Sequence, residues 1–193
     1  MQIWPNAPES KQSGCGANKV CAVAAGIVVT RDPQRGFDHG TFSIMKPLYP
    51  GEDIPLVQLS IDRSYGPELH LKLGRLLAPI RDEGVLIIGS GLSYHNLTDA
   101  RSSEGMEPSR RFDQWLQETL VGSSSEERTD RLMKWEQAPL ARAAHPQEDH
   151  LIPLMAVVGA AEDEAGAAVY HQKDLFGGIT ASSFRFGDVP TSR

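Results

Sequence analysis

From Pro67 to Glu83, apolar side chains recur at Leu69, Leu73, Leu76, Leu77 and Ile80, the spacing of one helical face. Pro67 suits a first helical position, and Pro79 predicts that the last turn kinks or stops. This helix is flanked by two short, near-continuous apolar runs, Ile54 to Ile61 and Val85-Leu86-Ile87-Ile88. That pattern is expected of strands covered on both faces. Strand, helix and strand with short joints make a βαβ unit. The predicted class is therefore α/β: a largely parallel central sheet flanked by helices, in a single domain. Upstream, Ile27 to Thr30 predicts another buried strand, with the end of a helix running from Val20 to a glycine cap at Gly26.

Past Pro108 the period becomes helical throughout. Phe112, Trp115, Leu116 and Leu120 form one stripe, and Leu132, Met133 and Trp135 mark a second helix after the Ser123–Ser125 linker. A third helical run, Asp149 to Ala161, is apolar almost all round and predicts deep burial, with Pro153 tolerated near its first turn. Ile179 to Phe186 alternates weakly, as an edge strand would. Residues 1–19, rich in Pro, Gly, Ser and Asn without a hydrophobic period, read as a poorly ordered arm ahead of a domain over 20–188.

Composition narrows the function. Of 193 residues 40% are hydrophobic, enough apolar surface to offset the entropy of ordering one domain. The 19 basic and 25 acidic residues leave a net charge of −6, and the basic ones are dispersed, which excludes a phosphate-binding face for nucleic acid. The longest apolar run, Val20 to Val29, is well short of the roughly 20 residues a bilayer span requires, so the expectation is no membrane and a cytoplasmic protein. Cys15 and Cys21 are too few for a disulfide framework or a four-thiolate zinc site and read as unpaired thiols.

Six histidines carry the candidate chemistry. His70, off the leucine stripe, and His171, in a polar stretch, read as surface residues. His95 follows the third expected strand in Gly89-Ser90-Gly91-Leu92-Ser93-Tyr94-His95-Asn96, on the carboxyl side of the sheet where α/β proteins bind ligands. The two glycines there also admit a phosphate cradle, a weak signal without a third glycine opening a helix. His39, beside Asp38, occupies a loop on the same side. His145 and His150 flank Pro146-Gln147-Glu148-Asp149 at the mouth of the most apolar helix, a suitable setting for a neutral imidazole ligand. Their spacing of five does not place both on one helical face, and Glu148 and Asp149 read first as helix-dipole partners.

These segments, in this order, resemble the class III extradiol ring-cleavage dioxygenases, in the subgroup that includes 4,5-DOPA dioxygenase. The likeness is carried by Gly36-Phe37-Asp38-His39-Gly40-Thr41, Ile54 to Ser60, Gly84 to Gly91, His95-Asn96-Leu97, Ala138-Pro139, His145 to Leu154 and Phe184-Arg185-Phe186-Gly187. The resemblance implies a non-haem metal enzyme that opens a catechol-type ring with O₂. Fe(II) is expected for activity, and Zn(II) is an alternative occupant. It implies His150 as a metal ligand, His95 as the acid–base group that also joins the metal, and His39 as a hydrogen-bond donor to substrate or oxygen.

The family's N-terminal motifs, which supply further metal histidines, have no counterpart before His39. The expectation is an N-terminally truncated domain, with self-association through an exposed N-terminal edge. A second reading is a catalytically incomplete form acting as a non-enzymatic binding protein; a nucleotide-binding domain built on Gly89-Ser90-Gly91 is a third.

Overall fold

The computed structural model describes residues 2–3, 26–27, 29–30, 32 and 34–187. Nearly all of the expected arm, the expected helix end from Val20 and both cysteines lie outside the described residues. The elements are β1 (Gln2–Ile3), α1 (His39–Leu48), β2 (Val57–Gln58), α2 (Pro67–Leu77), α3 (Met106–Leu120), α4 (Ser125–Met133), α5 (Ala141–Ala144), α6 (Ile152–Ala160), β3 (Gly166–Leu175) and β4 (Ile179–Phe186).

The helices obey local rules visible in the chain. Pro67 opens α2, and the helix stops at Leu77, tightening into a 3₁₀ turn over Ala78–Arg81 that contains Pro79. Ser124 caps α4 by accepting the Glu127 N–H at 3.2 Å, the first half of a Ser-x-x-Glu capping pattern. Asp38 caps α1 by accepting the Thr41 N–H at 3.0 Å. The apolar run over 152–160 is as buried as its composition predicts, with Ile152, Met155 and Val158 all sealed from solvent. They join Phe112, Leu116, Leu120, Leu132, Trp135 and Ile179 in one core between α3, α4, α6 and β4. Truncating Phe112, fully buried there, to alanine should cost about 3–5 kcal/mol.

Helices α2 and α6 cross with their backbones in contact. A Cβ at Gly74 would lie 2.1 Å from the Ala156 carbonyl oxygen, and one at Gly159 would lie 2.1 Å from that of Leu71. Only glycine fits on either side of the crossing.

The α/β class holds, but the expected parallel arrangement does not appear among the described residues. Both sheets are two-stranded and antiparallel: β1 with β2, and β3 with β4. The β3–β4 pair is a hairpin turning through Phe176-Gly177-Gly178, and a connection that short permits only antiparallel strands. Of the expected strand Ile54–Ile61, Val57 and Gln58 alone enter a ladder. Ile27, Val29 and Thr30 belong to no strand, and neither does Val85–Ile88. The apolar character of Val85–Ile88 predicts burial, yet Leu86 is 78% exposed because no described chain runs beside it to form the ladder. The run has the propensity of a strand without a neighbour to realise it.

Helix α3 meets β4 through a polar stripe one turn apart at Ser109, Asp113 and Gln117. The Ser109 hydroxyl accepts the Thr180 N–H at 2.9 Å; the Ser182 hydroxyl donates to Asp113 at 2.5 Å and accepts from Gln117 at 3.0 Å. His171 completes the group, with Nδ1 2.9 Å from the Ser182 hydroxyl and 3.4 Å from Asp113 Oδ2. It stands on β3, an element the chain's periodicity does not announce. His70 is not a surface residue. It is 1% exposed and uses both ring nitrogens: Nδ1–H donates to the Gly66 carbonyl at 2.7 Å, while Nε2 accepts the Asp62 N–H at 3.0 Å. It therefore pins the turn that leads into α2.

Candidate functional site

Two stretches build the site: residues 89–97, irregular chain after the exposed apolar run, and residues 143–150, from the end of α5 to just before α6. Gly91 lets them touch, since a Cβ there would lie 2.0 Å from the His150 carbonyl oxygen. A Cβ at Gly89 would likewise meet Pro153 and Val157. These glycines serve close backbone approach to the start of α6, which replaces the phosphate-cradle reading.

Several bonds tie the two stretches. The His95 N–H donates to the Ala144 carbonyl at 3.0 Å, and the Asn96 side-chain amide donates to the Ala143 carbonyl at 3.1 Å. The Leu92 N–H donates to His150 Nδ1 at 3.1 Å. His145 Nε2 stands 3.0 Å from the Ser93 carbonyl oxygen and donates to it.

The result brings His95, Asp149 and His150 together, with one ligand-type atom of each lying within 4.8 Å of the others. The His95 and His150 rings stack at 3.5 Å between centroids, 10° from parallel. His95 Nδ1 lies 3.7 Å from Asp149 Oδ1, an atom that is buried and has no hydrogen-bond partner among the described residues. Burial pushes the His150 imidazole below its ordinary pKa; His95 adds to this, with a smaller contribution from His39, while Asp149 opposes it. His150 is thus biased toward the neutral form that binds metals.

This donor set fits a divalent cation. Two imidazoles and a carboxylate are the ligand types of non-haem iron sites, and the orphaned Asp149 oxygen is an acceptor that an ion would satisfy. Two features set conditions on the fit. His150 Nδ1 is engaged by Leu92, which leaves Nε2 as its ligand atom. Lone pairs of stacked rings run side by side, so an ion shared by both imidazoles requires one ring to turn.

His39 is the first residue of α1, exposed, with its ring edge-on to Phe42 at 5.3 Å. Its element is joined to the site where the Ser90 hydroxyl donates to the Gly40 carbonyl at 2.6 Å. Asp38 does not orient the imidazole; its carboxylate is spent on the helix cap. His145 is fully buried, its ring edge-on to Phe112 and Trp135, and desolvation holds its pKa down to about 4. Asp149 is the member the sequence reading missed, since a carboxylate just before a helix is more simply a dipole partner. Its adjacency to His150 was the available signal. A cavity of about 410 Å³ opens beside His150, walled by Leu86, Ile88, Leu154, Val157, Phe184 and Phe186; His39, His95 and Asp149 do not line it.

Among the described residues no helix is long and apolar enough to cross a membrane. A model of the family described as the catalytic LigB subunit of aromatic ring-opening dioxygenase matches residues 17–187. The chain is 38% identical over 176 residues to a 4,5-DOPA dioxygenase extradiol of Beta vulgaris, covering 88% of this chain and 64% of that protein. It is 30% identical over 175 residues to the 4,5-DOPA dioxygenase extradiol of Escherichia coli (strain K12), covering 89% of this chain and 64% of that protein. Its fold matches the crystal structure of an uncharacterized protein of Escherichia coli K12 with a TM-score of 0.77 and 26% identity, over 96% of this chain and 80% of that one. The chain spans just under two thirds of the length of these two curated relatives.

Proposed function

Because the chain belongs to the family of catalytic LigB subunits of aromatic ring-opening dioxygenases, we propose that it is a metal-dependent extradiol dioxygenase that opens a catechol-type, DOPA-like ring with O₂. The observation that carries this reading is the cluster of His95, Asp149 and His150, with its buried, unpartnered carboxylate oxygen. His150 and Asp149 would be the ligands, with His95 beside them in the cluster. A bound metal would supply the redox chemistry that lets a catechol and O₂ exchange electron density, a task for iron(II) and not for redox-silent zinc.

The chain's own residues do the rest. Asp149 beside Nδ1 of His95 favours the proton on that nitrogen, leaving the Nε2 lone pair to the site. That lone pair either binds an ion or takes a proton from a catechol hydroxyl, but not both at once. We assign it the proton, which it would return as the ring opens. His39, exposed at the start of α1, would donate a hydrogen bond to negative charge developing on substrate or oxygen. In this reading the partners are a catechol and O₂, and the protein works in the cytoplasm.

The test is to load the purified chain anaerobically with Fe(II), then measure oxygen uptake and ring-opened product with DOPA and simpler catechols. Stoichiometric iron and a ring-opened product are expected. Bound iron without product would overturn the enzymatic reading; no bound iron would overturn the ligand assignment as well.

A further inference from the structure

We propose that His145, which neither lines the cavity nor belongs to the ion-binding cluster, is a positioning residue that holds the His95 loop through the Ser93 carbonyl. This rests on the proton role given above to His95.

Ser93 is gripped from two sides. Its carbonyl oxygen accepts the His145 Nε2–H at 3.0 Å, and its hydroxyl accepts the Ser182 N–H of β4 at 2.9 Å. Two residues on, His95 is tied by its own N–H to Ala144, the neighbour of His145. From the last residues of α5 to the start of α6, the chain runs as a rail beside residues 92–96. Backbone and amide rungs stand at Ala143 and Ala144, and side-chain rungs at His145 and His150.

The His145 rung differs from the others in kind. Its ring is fully buried and set edge-on against Phe112 and Trp135, so it cannot follow a drifting loop; the loop must come to it. Among the described residues its Nδ1 has no partner and Ser93 is the ring's only polar contact, and the donor to a carbonyl must be Nε2–H. A buried imidazole with a single polar contact is a costly way to fill core volume, and a leucine would fill it without an orphaned nitrogen. What the histidine adds is a fixed donor, aimed at the residue two positions before His95.

Two variants separate positioning from packing. His145→Leu fills the space without a donor; His145→Gln keeps an N–H donor of similar reach. Turnover is read with the Fe(II)-loaded protein, and the His95 Cε1–H resonance is read by NMR in the zinc-loaded protein, with His70 as the internal control. In His145→Leu the His95 resonance should move or broaden while that of His70 stays. Its kcat should fall on the order of tenfold to a hundredfold, with KM changed by less than about twofold, as expected when geometry and not binding is lost. His145→Gln should return kcat to within roughly threefold of the unaltered protein.

A folded His145→Leu with unchanged kcat and an unmoved His95 resonance overturns the proposal, as does a folded His145→Gln impaired as much as His145→Leu. Should His145→Leu fail to fold, His145→Gln alone decides on the same two readouts. If the unaltered protein opens no catechol, the ring-opening reading fails separately, and the His95 resonance still decides this one.

Discussion

Acid should weaken this protein through His145 before it protonates most carboxylates. The ring is sealed among Phe112, Trp135 and the Ser93 carbonyl, and its pKa in the fold is held down to about 4 by desolvation, against an ordinary 6.5. Because the folded value is the lower one, the unfolded chain binds the extra proton as pH falls. Stability is therefore fully present above about pH 6.5 and is lost progressively down to about pH 4. At 1.36 kcal/mol per pH unit of difference, the whole interval is worth about 3 kcal/mol. That is a large share of the 5–15 kcal/mol that holds a typical domain together. Urea unfolding at closely spaced pH values from 7.5 to 4.5, on the unaltered protein and on His145→Gln, isolates this group from the rest. The unaltered protein should lose about 2–3 kcal/mol more than the variant across that range. Parallel stability profiles for the two proteins would refute the argument, because they would mean that His145 takes up its proton without leaving the core.

Other consequences are simpler to measure. His150→Ala and Asp149→Asn should each weaken binding of Fe(II) or Co(II) at least tenfold by competition with a chelator, whereas His95→Ala should keep the metal and lose turnover; loss of the metal in that variant would make His95 primarily a ligand. Gly159→Ala gains about 1 kcal/mol of helix propensity but drives a methyl group into the Leu71 backbone, so thermal unfolding should show a net loss of about 1–3 kcal/mol. Ser124→Ala removes the α4 cap and should cost about 1 kcal/mol in the same assay. Leu86→Lys, at a position 78% exposed, should change stability by less than about 0.5 kcal/mol; a large loss would show that something covers this residue in solution.

Three helices were legible in the sequence because each carries an apolar face within a short stretch of chain; α1, which buries no residue and begins at His39 where a loop is expected, was not. The leucine period over 67–77, the Phe112–Leu120 stripe and the all-round apolar run over 152–160 need no distant partner to be recognised. Strands do need one, which is why Val85–Ile88 reads as a buried strand yet lies exposed, and why β3, with its mostly exposed pattern, gave no signal. The site followed the same division. His95 and His150 were singled out from their places after one expected element and before another, and their rings stack. Asp149 was hidden by the commoner use of a carboxylate at a helix start, and His70 by the assumption that a histidine off the apolar stripe faces water.

The crossing of α2 and α6 has a mechanical consequence. With Gly74 and Gly159 in backbone contact there is no side chain to act as a compressible bearing, so the two helices move as one body. His150 stands two residues before the first turn of α6, and its carbonyl is pressed against Gly91. The scaffold thus works as a clamp with a short, stiff arm: the backbone that carries His150 is held fast at its root, and what freedom the site keeps lies in the turning of its imidazole rings.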